Sequence, residues 1–249
     1  MSDPIPPLIT LEEHFIAPDL FAELSDVYGE QLKSLPGVDA RLQDVGPLRL
    51  ADMDANRVAL QVVSHAPGLG RRPPALSRLA NDSLAASLRD APAAGRMAGG
   101  FGWHQETGLA VLRLFAAGLF DAVPGVKIII GHFGEMLPFM MERVEKLSPR
   151  WGARERSWRR VWEENIWVTT SGVWGLAPLA CVLRNTPVDH VLYSVDYPFA
   201  KNEDGLVWVR ELRESGMVTP EELDKIAYRN AEKLLRVKAP VVAGESKQS

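Results

Sequence analysis

Residues 126–135 read VKIIIGHFGE. Val126–Ile130 is apolar on both faces, the pattern of a strand covered on both sides in a parallel sheet. It is preceded by Pro124–Gly125, which ends a long amphipathic helical pattern over Glu106–Ala122, and it stops at Gly131–His132. A helix, a short turn and a buried strand form a βα-type unit. Working outward, further strands are expected at Leu8–Leu11, Val58–Ser64, Ile166–Thr169 and His190–Ser194, with a doubtful one in Arg96–Trp103. Helices are expected at Asp19–Tyr28, Leu48–Asn56, Ala75–Asp90, Glu135–Ser148, Arg154–Glu164 and Leu176–Arg184. Asp204–Ser215, Pro220–Arg229 and Asn230–Val237 close the chain, and Thr219 with Glu222 has the form of an N-cap box. Short strands alternating with helices predict an α/β fold with a mostly parallel sheet. A single domain over 8–237 is expected, with tails at 1–7 and 238–249.

Composition narrows the function. Lys plus Arg is 28 and Asp plus Glu is 32 in 249 residues, a net charge of −4. A strongly basic nucleic-acid binder is thereby excluded. Cys181 is the single cysteine, which excludes a disulfide framework and a Cys-rich zinc site. No apolar run approaches the ~20 residues of a spanning helix, and no leader pattern opens the chain. A cytoplasmic protein without membrane or nucleic-acid partners is the expectation. The seven tryptophans are expected in core or interface, and the arginines of 150–160 on a solvated or subunit-facing helix.

Residues with chemistry gather at strand ends. Glu12 and His14 follow the first strand, His132 follows Val126–Ile130, and Asp196 follows His190–Ser194. In a parallel barrel all strand C-termini face one side, where active sites form. Positions i and i+2 of a strand share a face, so Glu12 and His14 can serve one ion. Glu, His and Asp are ligand types for zinc or manganese. Taken singly, His132 also suits a core histidine and Asp196 a turn.

The order of ITLEEHF (9–15), FGWHQETG (101–108), IIGHFGEMLPF (129–139), TTSG (169–172), VLYSVDYPF (191–199) and RNAEKL (229–234) resembles one family. It is the amidohydrolase-related family that contains the aminocarboxymuconate semialdehyde decarboxylases, nearest to the γ-resorcylate and 2,3-dihydroxybenzoate decarboxylase branch. The resemblance implies a (β/α)8 TIM-barrel-like fold, one divalent metal ion (zinc or manganese), no organic cofactor, and a homodimer or homotetramer. It implies a non-oxidative carboxy-lyase acting on hydroxylated aromatic acids. The alternatives are a metal-dependent hydrolase of the same fold and an inactive structural or partner protein. The motifs assign Glu12, His14 and Asp196 to the metal, and His132 and Glu135 to catalysis beside Asp196, which is the expected proton donor. Arg143 matches a substrate-binding arginine.

One family feature is missing: a ligand histidine on a middle strand. RMAGG (96–100) runs directly into FGWHQET, where a complete member would carry about two more βα units, ~60–80 residues at about 30 per unit. An internal deletion near 99–102 is therefore expected. It would leave about six strands and a weakly held ion, unless His65 or His104 takes the absent ligand's place.

Overall fold

The computed structural model describes residues 5–16, 21, 32–33, 35–65 and 102–240. The helices expected at Asp19–Tyr28 and Ala75–Asp90, and nearly all of the Arg96–Trp103 run, lie outside the described residues, Phe21 excepted. Five strands are present among the described residues, all paired in parallel. β1 (Leu8–Phe15) pairs with β2 (Val58–His65). β3 (Ile128–Ile130) pairs with β4 (Ile166–Thr169), and β4 with β5 (Val191–Leu192). The two sheets meet where the chain leaves β5. Leu11 and Glu12 donate backbone N–H groups to Ser194 Oγ at 3.1 and 2.7 Å, and His14 N–H donates to the Tyr197 carbonyl at 2.7 Å. The strands thus form one arc in the order β2, β1, β5, β4, β3. Its two edges among the described residues, β2 and β3, are separated in sequence by residues 66–127.

Helices cover the arc. α1 (Val38–Gln43) and α2 (Pro47–Ala55) lie between β1 and β2 in sequence. α3 (Trp103–Ala116) and α4 (Leu119–Ala122) replace the single helix expected over 106–122, because Gly118 at φ +80° breaks the run. α5 (Met141–Leu147), α6 (Trp158–Asn165), α7 (Leu176–Asn185) and α8 (Asn202–Ser215) follow. α9 (Pro220–Asp224) carries the expected capping box, with Thr219 Oγ1 and the Glu222 carboxylate each accepting the other's backbone N–H. A π-turn over Lys225–Arg229 leads into α10 (Asn230–Leu235). The Asn230 amide donates to the Val188 and Val191 carbonyls and so ties α10 to the start of β5. Among the described residues no helix is long and apolar enough to cross a membrane.

Four tryptophans are core residues, as expected: Trp158, Trp162 and Trp208 are fully buried, and Trp167 is buried between β3 and β5. Phe115 meets the Trp158 ring edge-on at 5.3 Å, and Trp158 packs on Trp162 at 5.7 Å. Trp162 Nε1 donates to Thr186 Oγ1 at 3.0 Å, which satisfies its one polar atom in the core.

Several expectations are corrected. Ile130 is buried, but Ile129 is 40% exposed, because β3 is an edge strand among the described pairs. The helix expected from Glu135 begins only at Met141. Residues 132–136 instead take left-handed backbone, at φ +48°, +56°, +82°, +54° and +66°. β5 is two residues long rather than five. Beyond it Tyr193 N–H goes to the Ile226 carbonyl and Val195 N–H to a side chain of β1, so the ladder ends early. Arg156 is not solvated; its guanidinium donates to the Asn165 side chain at 2.9 Å and to the Phe120 carbonyl, and it pairs with Glu164 and Asp121.

Candidate active site

Four segments converge at the C-terminal ends of the strands: the second half of β1, the turn after β3, the Thr169–Gly172 segment after β4, and the loop after β5. The turn after β3 is the least ordinary. Left-handed backbone costs an L-residue about 1–2 kcal/mol. Four non-glycine residues, His132, Phe133, Glu135 and Met136, accept it within five successive positions, and such strain persists only where the surroundings over-determine it. Phe133 anchors the turn against Trp208 at a ring separation of 6.3 Å, and Gly134 packs on Val168 and Trp162. Gly108 of α3 lets the Glu135 carbonyl come within 2.9 Å of where a Cβ would stand. The result turns His132 and Glu135 toward the strand ends together.

The predicted ligands meet in pairs. His14 Nε2 lies 3.3 Å from Asp196 Oδ1. His132 Nε2 lies 3.5 Å from Asp196 Oδ2, and its Nδ1 lies 3.6 Å from Glu12 Oε1. Glu12 Oε2 accepts hydrogen bonds from Thr169 Oγ1 at 2.8 Å and Ser171 Oγ at 2.5 Å. No ion pair among the described residues joins Glu12 directly to His14; His132 bridges between Glu12 and Asp196. The oxygen and imidazole donors suit a divalent ion, and the 3.3 Å between His14 and Asp196 suits two ligands of one ion. The residues present therefore fit the implied metal, with Glu12 held aside on Thr169 and Ser171.

Gly131 makes room for this arrangement. A Cβ there would stand 2.3–2.7 Å from the Glu12 carboxylate atoms. Its backbone, at φ −65°, suits alanine. Gly131→Ala is therefore expected to displace the end of the Glu12 side chain rather than the main chain. The melting temperature should stay within a few degrees of wild type while manganese affinity, followed by titration, falls at least ~10-fold.

Two further residues join the site: His104, which the sequence offered as one replacement for the absent ligand, and Glu13, which it did not assign. His104 Nδ1 lies 2.5 Å from Glu135 Oε2, and His132 Nδ1 lies 2.9 Å from Glu135 Oε1. His104, His132 and Glu135 each bring one ligand-type atom within 4.8 Å of the other two, the tightest such group among the described residues. Two ligands at ~2.0–2.2 Å from one ion stand about 3 Å or more apart. The 2.5 and 2.9 Å separations are hydrogen-bond lengths, so Glu135 as placed here links two imidazoles. The WHQET motif was a visible signal for His104, but only the strained turn brings Glu135 to it.

The second is Glu13, fully buried beside two predicted ligands. Its Oε1 accepts from Ser194 Oγ at 2.9 Å and Val195 N–H at 3.0 Å, and its Oε2 accepts from Tyr197 N–H at 2.6 Å. Burial pushes the Glu13 carboxyl up to about 8, against the pull of these three bonds. A protonated oxygen would set one O–H against a donor, so the donor set favours the ionised form.

Charge in the cluster is shared. Burial alone would push the His132 imidazole down, but hydrogen bonds to Asp196 and Glu135 and the charge of Glu12 outweigh it and carry it up to about 10. Burial would likewise raise Asp196 and Glu135. Asp196 is instead held below the usual carboxylate range by His132 and His14, and Glu135 by His104 and His132.

Two other candidates take no part in these contacts. Arg143 is exposed on α5 and has no hydrogen-bond or ion-pair partner among the described residues. His190 Nδ1–H donates to the Ile166 carbonyl, 2.7 Å away, and the ring stacks on Trp167 at 4.1 Å, a structural histidine at the opposite strand end. The His65 side chain and the join expected near 99–102, apart from Gly102, lie outside the described residues.

Parallel strands carrying His, Glu and Asp at their C-terminal ends are the arrangement expected of an amidohydrolase-related barrel. An amidohydrolase family model, Amidohydro_2, matches residues 51–237, and the chain belongs to that family. It is 37% identical to Decarboxylase orsB of Emericella nidulans over 323 aligned positions, 93% of this chain and 98% of that protein. It is 35% identical to the γ-resorcylate decarboxylase of Rhizobium radiobacter over 139 positions, 53% of this chain and 41% of that enzyme. The fold matches a 5-carboxyvanillate decarboxylase from Novosphingobium aromaticivorans, solved with manganese and 4-hydroxy-3-methoxy-5-nitrobenzoic acid. The TM-score is 0.73 at 19% identity, covering 92% of this chain and 96% of that one. The fold is thus the TIM-barrel type of the amidohydrolases. Ninety-three per cent of 249 residues is about 232, so about 90 of the 323 positions aligned with the fungal protein face no residue here. That shortfall is close to the size of the expected deletion.

Proposed function

We propose that the chain is a metal-dependent, non-oxidative decarboxylase of hydroxylated aromatic acids such as dihydroxybenzoates, with its catalytic unit in residues 8–237. The observation that carries the reading is the convergence of Glu12, His14, His132 and Asp196 at the strand ends, supported by the decarboxylase relatives. Glu12, His14 and Asp196 would hold one manganese or zinc ion. The ion supplies positive charge and orientation to a carboxylate and its neighbouring phenolic oxygen. Asp196 delivers a proton to the ring carbon as its bond to the carboxylate breaks and CO₂ leaves. His132, hydrogen-bonded to Asp196 and Glu135, holds that proton within reach. No organic cofactor is needed, because the electron pair left on the ring carbon is taken up by the proton. Arg143, exposed and unpaired among the described residues, is assigned to the substrate carboxylate. Exposed Phe139 and Met136 beside the site turn support a homodimer or homotetramer.

The test is turnover. The purified chain with manganese is expected to release CO₂ from a dihydroxybenzoate faster than its metal-free control, at a low rate if the absent histidine is not replaced. Hydrolysis of an aryl ester or lactone without any CO₂ release would overturn the reading in favour of a hydrolase.

A further inference from the structure

We propose that Glu13 is a positioning residue, whose buried carboxylate sets the place of Asp196 by gripping the chain on both sides of it. The inference rests on the reading of Asp196 as a member of the metal and proton-transfer site. Asp196 sits in left-handed backbone at φ +71°, which aspartate tolerates better than most L-residues, so residue type permits the conformation and outside help fixes its place. The help comes from β1. Glu13 Oε1 takes the Val195 N–H on one side of Asp196, and Oε2 takes the Tyr197 N–H on the other. Ser194 Oγ donates to Glu13 at 2.9 Å while accepting the Leu11 and Glu12 N–H groups, so the same hydroxyl locks the loop to β1. The neighbours Glu12 and His14 point into the site from the same strand. The strand that carries two ligands therefore also fixes the loop that carries the third.

A carboxylate suits this task and an amide does not. Donors approach both oxygens of Glu13, and a carboxylate is acceptor-only. Glutamine has the same shape but must set an N–H₂ against either Tyr197 N–H or the Ser194–Val195 pair. Glu13 is fully buried, so bulk solvent does not reach it to resolve the conflict.

The experiment compares wild type with Glu13→Gln, and with Glu13→Asp, which keeps the charge but withdraws it by one methylene. Manganese affinity, read by calorimetry on protein shown to be folded by its melting curve, is expected to fall about 10–100-fold in Glu13→Gln and less in Glu13→Asp. Backbone amide exchange at Val195 and Tyr197 should accelerate, and crystal structures should show Asp196 drawn away from His14. A folded Glu13→Gln protein with wild-type manganese affinity and an unmoved Asp196 overturns the proposal. If Glu13→Gln does not fold, Glu13→Asp decides by the same measurements. If wild type itself binds no manganese, the metal reading fails by itself. The positioning role is then judged by the Asp196–His14 separation alone: displaced in the variant it stands, unchanged it falls.

Discussion

Asp196→Asn is expected to lower decarboxylation by about 10²–10⁴-fold, the typical loss when one general acid is removed. The substitution keeps the size of the side chain, and the asparagine oxygen can still face His132 or His14. What it removes is the carboxyl group that His132 and His14 share at 3.5 and 3.3 Å. The loss should fall on kcat, measured as CO₂ release at saturating substrate, with the melting temperature little changed. His132→Ala should also cut the rate strongly without preventing folding, because the turn is anchored by Phe133 and Gly134 rather than by the imidazole. Unchanged turnover in a folded Asp196→Asn protein would refute the assignment.

Removal of the metal is expected to have an effect of similar or larger size. Charge stabilisation by a bound ion contributes several kcal/mol to such a reaction, equivalent to at least ~10³-fold in rate. Treatment with a chelator should therefore abolish turnover, and manganese should restore it. Extended dialysis alone should strip the ion, because among the described residues the site has no middle-strand histidine and Glu12 is engaged by Thr169 and Ser171. Stoichiometric metal retained after dialysis, with turnover of a dihydroxybenzoate, would mean that another group has replaced the absent ligand. His104 is then the first to test by substitution, since it already lies within 4.8 Å of His132 and Glu135.

Much of this was legible in the chain. The alternation of apolar runs with helical patterns located all five described strands, and the parallel pairing followed from the same alternation. Ends of elements were less legible. The pattern of 106–122 is continuously helical, yet Gly118 divides it. Residues 135–140 look helical, yet the positive φ angles of Glu135 and Met136, the last of five in a row from His132, exclude the start of a right-handed helix there. No sequence period signals that turn, because its stability comes from Phe133 packing on Trp208 and from Gly134 packing on Val168 and Trp162. Arg156 reads as one of several surface cations and becomes a buried structural residue only because Asn165 and the Phe120 carbonyl converge on it.

By itself the sequence determined the class of fold and the family, and it singled out Glu12, His14, His132, Glu135 and Asp196 as the candidates for the chemistry. These are properties of residue type and local order, and a single chain displays them. Only the tertiary structure decided how the groups combine. It split the expected set into a His14–Asp196–His132 contact, a Glu12 carboxylate resting on two hydroxyls, and a Glu135 shared between His132 and His104. It also revealed Glu13, which in sequence is one more acid beside a predicted ligand, as the buried acceptor for the loop of Asp196. Hydrogen bonds between residues more than 180 positions apart leave no local pattern. They exist only once the chain has brought β1 alongside the end of β5.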